Sequence, residues 1–250
     1  MKTTLLVSIV GASALFLTTG CEDKTSLQSP VLPTPVDIVP ADVPAGLVPD
    51  DAAPASVPLK VEFPPELIEG TPKPMPVPNL MPLVKKGPVV HVPAGTTLLS
   101  RGKTVTSSDD WPIIGTLDLV TDGDKEAGGG YYLELADGLQ WIQIDLEESA
   151  TIRVIWIWRD HSQRKAAHDV IVQVSDDPEF QRGVTTVFNN DYDNSTSLGI
   201  GRDRPYVESC FGKPVDGRNT RGRYLRLYSN GSTYEDGNRY IEVEVYGVIR

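Results

Sequence analysis

Three stretches of this 250-residue chain gather side chains able to hold a cation or a sugar. The first is Asp122-Gly123-Asp124, a tight turn that brings two carboxylates and several carbonyls into one loop. A hard cation such as Ca2+ takes six to eight oxygens at short range, and such a turn supplies a good part of them. Without an ion the same residues make an ordinary Asp-Gly turn. The second stretch, residues 189–195 (NNDYDNS), has similar oxygen density but lacks the Glu and the flanking helices of an EF-hand. With Gly199-Ile200-Gly201 it makes a long insertion, and long loops in compact domains tend to carry function. The third is a pair of loops, residues 159–164 (RDHSQR) and 230–239 (NGSTYEDGNR). Arg, Asn, Asp and His grip vicinal hydroxyls through paired hydrogen bonds while an aromatic ring stacks on the apolar face of a sugar. Arg159, His161, Arg164, Asn230 and Tyr234 are therefore the candidate ligand contacts. Trp111, beside Asp109, Asp110 and Pro112, is the candidate stacking platform, with Tyr131-Tyr132 a second.

The residues of catalysis are not grouped in the same way. His91, His161 and His168 show no metalloprotease spacing, and Asp160-His161-Ser162 are adjacent, so they cannot form a triad across a pocket. No Gly-x-Ser-x-Gly, phosphate loop or Cys-x-x-Cys occurs. A net charge of −11 argues against nucleic acid and anionic lipid, both of which select basic patches, and is compatible with neutral glycans and cations. The expectation is a binding protein, not an enzyme.

The elements that must position these loops are short strands. Ile142, Ile144 and Leu146 alternate with Gln143 and Asp145, and Val243 and Val245 alternate with Glu242, Glu244 and Tyr246, the period of strands buried on one face. Runs of this kind at 141–146 (WIQIDL), 169–177 (DVIVQVSDD), 223–228 (RYLRLY) and 241–247 (IEVEVYG) are separated by Gly, Asn, Asp and Pro, which predicts an all-β antiparallel sandwich. Trp156 and Trp158 lie two apart on one strand and so share a face, with a buried position favoured.

In this order the four runs resemble the discoidin family, the factor V/VIII type C domains, which overlaps with the family 32 carbohydrate-binding modules and the galactose-binding-like superfamily. The resemblance covers residues 95–250 and implies a jelly-roll sandwich of about eight strands. It also implies a structural Ca2+ ion held by Leu119, Asp122 and Asp124 of the first loop and by Glu242 of the last strand. Where relatives often place a further Thr or Ser ligand, this chain has Lys125-Glu126-Ala127. A galactose-type site would draw on His161, on Arg159 or Arg164, on Asn230 and on Tyr234. Animal members usually close their ends with a disulfide, whereas here Cys210 stands alone and reads as a small buried hydrophobe.

The amino terminus sets the address. Met1-Lys2, an apolar run from Leu5 to Leu17 and Thr18-Thr19-Gly20-Cys21 form a secretory signal over residues 1–20, with Cys21 at the acylated position of a bacterial lipobox. The apolar run is short of the roughly 20 residues that span a bilayer, so the lipid is the expected membrane contact. Glu22 favours the outer membrane or cell surface. Residues 21–93 hold most of the 21 prolines, while every Trp and Tyr lies beyond position 110. This segment reads as an extended, disordered tether, its Val, Leu and Ile leaving open a docking role on another envelope protein. Residues 94–250 make the domain, whose ligand is expected to be a carbohydrate or, alternatively, an envelope protein.

Overall fold

A computed structural model describes residues 55–249. Among them are eleven strands, one 3-10 turn and no α-helix. The strands are β1 (Ser56–Pro58), β2 (His91–Pro93), β3 (Thr97–Leu98), β4 (Val105–Ser107), β5 (Leu133–Leu135), β6 (Gln140–Arg159), β7 (Ile171–Ser175), β8 (Thr185–Asn189), β9 (Lys213–Asp216), β10 (Arg221–Ser229) and β11 (Asn238–Ile249). Strands β3 to β11 make a nine-stranded antiparallel system in the order β3-β11-β6-β10-β7-β8, with β4, β5 and β9 on its sides. The all-β antiparallel architecture read from the alternating runs is the observed one, with nine strands where about eight were expected.

Strand β6 explains how one hydrogen-bonded system closes around a core. Its first part pairs with β4 and β10, through Ile142 to Ser107 and Leu227 for example. Glu147 then takes a φ of 70°, a left-handed conformation that bends the strand. The last part pairs with β11 and β9 instead, through Trp156 to Glu244 and Pro214. Ile142, Ile144, Ile152, Ile155 and Ile157 of β6 face the main core with Leu225, Leu227, Val243 and Val245.

The alternate residues of the same strands do not face water. Val154, Trp156 and Trp158 of β6 and Ile241 and Tyr246 of β11 form a second apolar cluster on the outer face, covered by Leu59, Val61, Phe63 and Val90. A sheet buried on both faces needs near-continuous apolar strands, and the IRVIWIW run of β6 has that character. The two tryptophans are both buried and stack at 5.8 Å. Their indole N–H groups donate to the carbonyls of Phe211 (2.8 Å) and Cys210 (3.0 Å).

The covering residues come from the stretch expected to be a tether, and here the structure corrects the boundary at residue 93. Strand β1 pairs with β2, joining Ser56 to Pro93. Between them the chain runs over the body as an extended strap. Phe63 lies 5.7 Å from Trp156 and 5.5 Å from Phe211. Glu69 N–H donates to the Ser162 carbonyl (2.6 Å), and Met81 N–H to that of Pro205 (2.8 Å). The prolines do keep this segment free of helix, but its apolar side chains found their partner within the same chain. The signal, Cys21 and the tether up to residue 54 lie outside the described residues.

Candidate functional site

The loop between β6 and β7 and the one between β10 and β11 are joined by backbone hydrogen bonds, His168 N–H to the Gly231 carbonyl (3.0 Å) and Thr233 N–H to that of Ala166 (2.9 Å), but most of the ligand candidates there are engaged inside the fold. Arg159 is buried, its guanidinium 3.8 Å from Glu208 and 4.5 Å from the Tyr240 ring. His161 is buried as well and donates from Nε2 to the Lys125 carbonyl (3.0 Å). Burial holds its imidazole below the ordinary value, which keeps it neutral. Neither is a surface contact, because both lie under a charged network that the loops close over. Asp160 sits at its centre, accepting from Lys165 (2.8 Å), Ser162 Oγ (2.6 Å) and Arg239 (3.2 Å). Burial alone would raise the Asp160 pKa, but Lys165 and Ser162 outweigh it and hold the carboxyl well below the usual range.

The remaining loop candidates are covered or paired. Arg164 bridges to Glu66 of the strap (2.7 Å), and Lys73 of the strap lies 3.8 Å from the Tyr234 ring centroid. Asn230 donates to Asp169 Oδ2 (2.9 Å). Arg159, His161, Arg164, Asn230 and Tyr234 thus fall in one region, yet as the underside of a strapped surface and not as an open cleft.

Trp111 is different. Of the four tryptophans, Trp156 and Trp158 are interior and Trp141 is half-buried beneath the Arg226 guanidinium (4.1 Å), whereas Trp111 is 86% exposed. Its loop is nevertheless held. The Asp109 carboxylate accepts from Trp111 N–H (2.9 Å) and from Ala136 N–H (2.8 Å), and Ile113 N–H donates to the Glu134 carbonyl (2.7 Å). A ring carried on a pinned backbone loses little freedom when a ligand stacks on it. Asp109 was not among the expected functional residues, although an Asp two positions ahead of a loop residue is the sequence signal of an Asx turn. Tyr131, the second platform candidate, is 71% exposed, while Tyr132 packs under Arg239.

Two acidic groups bear on cation binding. Glu242 is wholly buried; Oε2 accepts from Gly123 N–H (2.9 Å), which places the carboxylate against the Asp122-Gly123 turn as the resemblance implied. Oε1 has no hydrogen-bond partner among the described residues. Burial, with help from Glu244 and Asp122, pushes this carboxyl up to about 8. The unpartnered Oε1 is an oxygen that a cation could satisfy. The side chains of Asp122 and Asp124 turn onto their own loop, accepting from Asp124 N–H (2.8 Å) and Glu126 N–H (2.9 Å). Arg101 donates to the Asp122 carbonyl, so a guanidinium also stands at the turn. Leu119 lies in the 3-10 turn Leu117–Val120 just before it. The other group is Asp169, Asp191 and Asp193, whose carboxylate oxygens come within 4.8 Å of one another and could hold a metal ion. Asp191 and Asp193 belong to the acidic insertion; Asp169 comes from the start of the β7 run.

No protein-family model and no curated protein matches the chain. Among solved structures it is similar to a family 89 glycoside hydrolase from Clostridium perfringens in complex with 2-acetamido-1,2-dideoxynojirmycin, at 19% identity and a TM-score of 0.45 over 61% of this chain. The chain spans 15% of the length of that enzyme. It is similar also to the CBM32 of AlyQ in complex with 4,5-unsaturated mannuronic acid, at 18% identity and a TM-score of 0.41 over 57% of this chain and 92% of the module. A fucose binding module of Streptococcus pneumoniae aligns at 16% identity and a TM-score of 0.39 over 60% and 97%. The described residues form an all-β antiparallel fold, and the solved structures the chain is similar to include carbohydrate-binding modules.

Proposed function

We propose that this chain is a non-catalytic, carbohydrate-binding lipoprotein of the bacterial cell envelope, tethered by acylated Cys21 and holding its sugar on the Trp111 ring. The observation that carries the reading is the exposed indole on a loop pinned by Asp109. An aromatic face left in water on an ordered backbone offers a sugar its C–H stacking partner, while Asp109 and Asp110 beside it offer acceptors for hydroxyls. The catalytic groupings missing from the sequence support binding over chemistry.

Calcium belongs to the same proposal as a structural ion. Glu242 and Asp122, with carbonyls of the turn, would hold it, and it would favour the ionised form of a carboxyl that burial otherwise pushes up. The test is a glycan array with the chain from Glu22 onward, in Ca2+ and after chelation. Saturable binding that is lost in Trp111→Ala at unchanged melting temperature supports the reading. Silence from the folded protein overturns it in favour of a second one, an assembly module for another envelope protein. That alternative draws on the exposed apolar side chains of Ile113 and Tyr131, which would then serve a protein contact. For the ion, melting in Ca2+ and in chelator should differ by several degrees and the difference should vanish in Glu242→Gln; equal melting curves would remove calcium from the proposal.

A further inference from the structure

The insertion between β8 and β9 forms a cavity with the strap, away from the Trp111 loop. It has a volume of about 250 Å3, smaller than the clefts of roughly 300–1,000 Å3 that hold drug-sized ligands and suited to a single sugar ring. Asn190, Tyr192, Arg202 and Arg204 line it from the insertion, and Pro78 and Asn79 of the strap form the opposite wall. The wall is fixed, because Arg204 donates to the carbonyls of Asn79 (2.9 Å) and Leu80 (3.1 Å).

The insertion is also rigid. Gly201 N–H donates to the Asp191 carbonyl (2.6 Å) and Asp203 N–H to that of Asn189 (2.9 Å). The Asp191 carboxylate accepts from Thr196 Oγ1 (2.6 Å) and from the N–H groups of Thr196 and Ser195 (both 3.1 Å). Its charge is thereby turned into the loop. Asp203 accepts from Asn189 N–H through Oδ2 (2.7 Å).

Among the described residues, three groups lining the cavity are not fully engaged. Asn190 is 4% exposed; its Oδ1 accepts from Val170 N–H (2.7 Å), but its Nδ2 has no partner among the described residues. A buried donor left unpaired is costly, and a ligand acceptor would recover that cost. The Arg202 guanidinium makes no hydrogen bond or ion pair among the described residues. Tyr192 leaves its ring 60% exposed. Both free polar groups are donors and one is cationic, so the ligand must bring acceptors and negative charge, and the ring asks for a flat apolar face. Two arginines against Asp203 make this lining basic in a chain whose net charge is −11.

We propose that this cavity binds a carboxylate-bearing sugar unit, a hexuronate, with Arg202 on its carboxylate, Asn190 Nδ2 on an adjacent oxygen and Tyr192 along its ring. The site is separate from the Trp111 platform, and the two succeed or fail independently. The experiment is an amide-resolved NMR titration of the chain from Glu22 onward with methyl glucuronoside, methyl glucoside and acetate. The glucuronoside should saturate, with shifts at Tyr192 and Gly201, and bind at least about tenfold more tightly than the glucoside or acetate, the scale of one charge-assisted hydrogen bond. Arg202→Gln should remove that preference. Tyr192→Ala should weaken binding, as should Asn190→Asp, which keeps the acceptor for Val170 N–H and removes the donor. Trp111→Ala should change nothing. Equal binding of both sugars, a preference that survives Arg202→Gln, or absence of binding by the folded wild-type chain would each overturn the assignment.

Discussion

Gly212 and Glu208 are where single side chains decide most. Gly212 adopts a φ of 61°, and a Cβ there would stand 2.8 Å from Trp158 Cε2 and 2.9 Å from both the Ile157 carbonyl oxygen and Trp156 Cδ1. Gly212→Ala should therefore destabilise the protein by about 2 kcal/mol or more, read as a lower urea midpoint at unchanged slope. Glu208 is buried, and burial pushes its carboxyl up to about 7 although Arg159 opposes the shift. Between its ordinary 4.5 and 7 the native state holds a proton that the unfolded chain has released. Its contribution to stability is therefore full below 4.5 and is lost as pH rises through 7. Calorimetry across that window should show a falling melting temperature, with a shallower fall in Glu208→Gln. Residue types in the loops were legible as sugar-binding chemistry, but their exposure was not. Arg159 and His161 have the right groups and face inward, because whether a polar side chain meets solvent or Glu208 is settled by elements far away in sequence.

At the scale of elements, the strap is the main difference between expectation and structure. Prolines and the lack of Trp and Tyr made residues 55–93 read as linker, and both observations stand. The overlooked signal is local: Leu59, Val61 and Phe63 alternate with Lys60 and Glu62, the same period that identified the strands. That pattern says one face is covered without saying by what, and here the cover is Trp156 and Trp158. Phe63→Ala should lower stability by about 2 kcal/mol, less than the 3–5 of a fully buried Phe because the ring is half-buried. A chain started at Ala94 would uncover two stacked tryptophans. It should bind a hydrophobic dye or self-associate in sedimentation, whereas a chain started at Ala55 should remain dispersed.

For the whole molecule, the proposed lipid anchor makes position in the cell a chemical property of one thiol. Cys21→Ser should move the protein from the membrane to the soluble fraction on cell fractionation and abolish labelling by a fatty-acid analogue. A fold of antiparallel strands around one core was readable from the period of two in Ile142–Leu146 and Val243–Val245, because alternation is imposed residue by residue and survives in the linear order. The Asp122 turn and its meeting with Glu242 were readable through the resemblance, since the turn is local and the strand that completes it carries its own pattern. Three things only the tertiary structure decided. It buried the outer face of β6 under the strap, engaged the loop arginines internally, and set Asn190, Tyr192 and Arg202 around one cavity. Each depends on surfaces from separate parts of the chain coming together. Periodicity and composition report how a residue suits its neighbours in sequence, and carry no record of which distant surface will cover it.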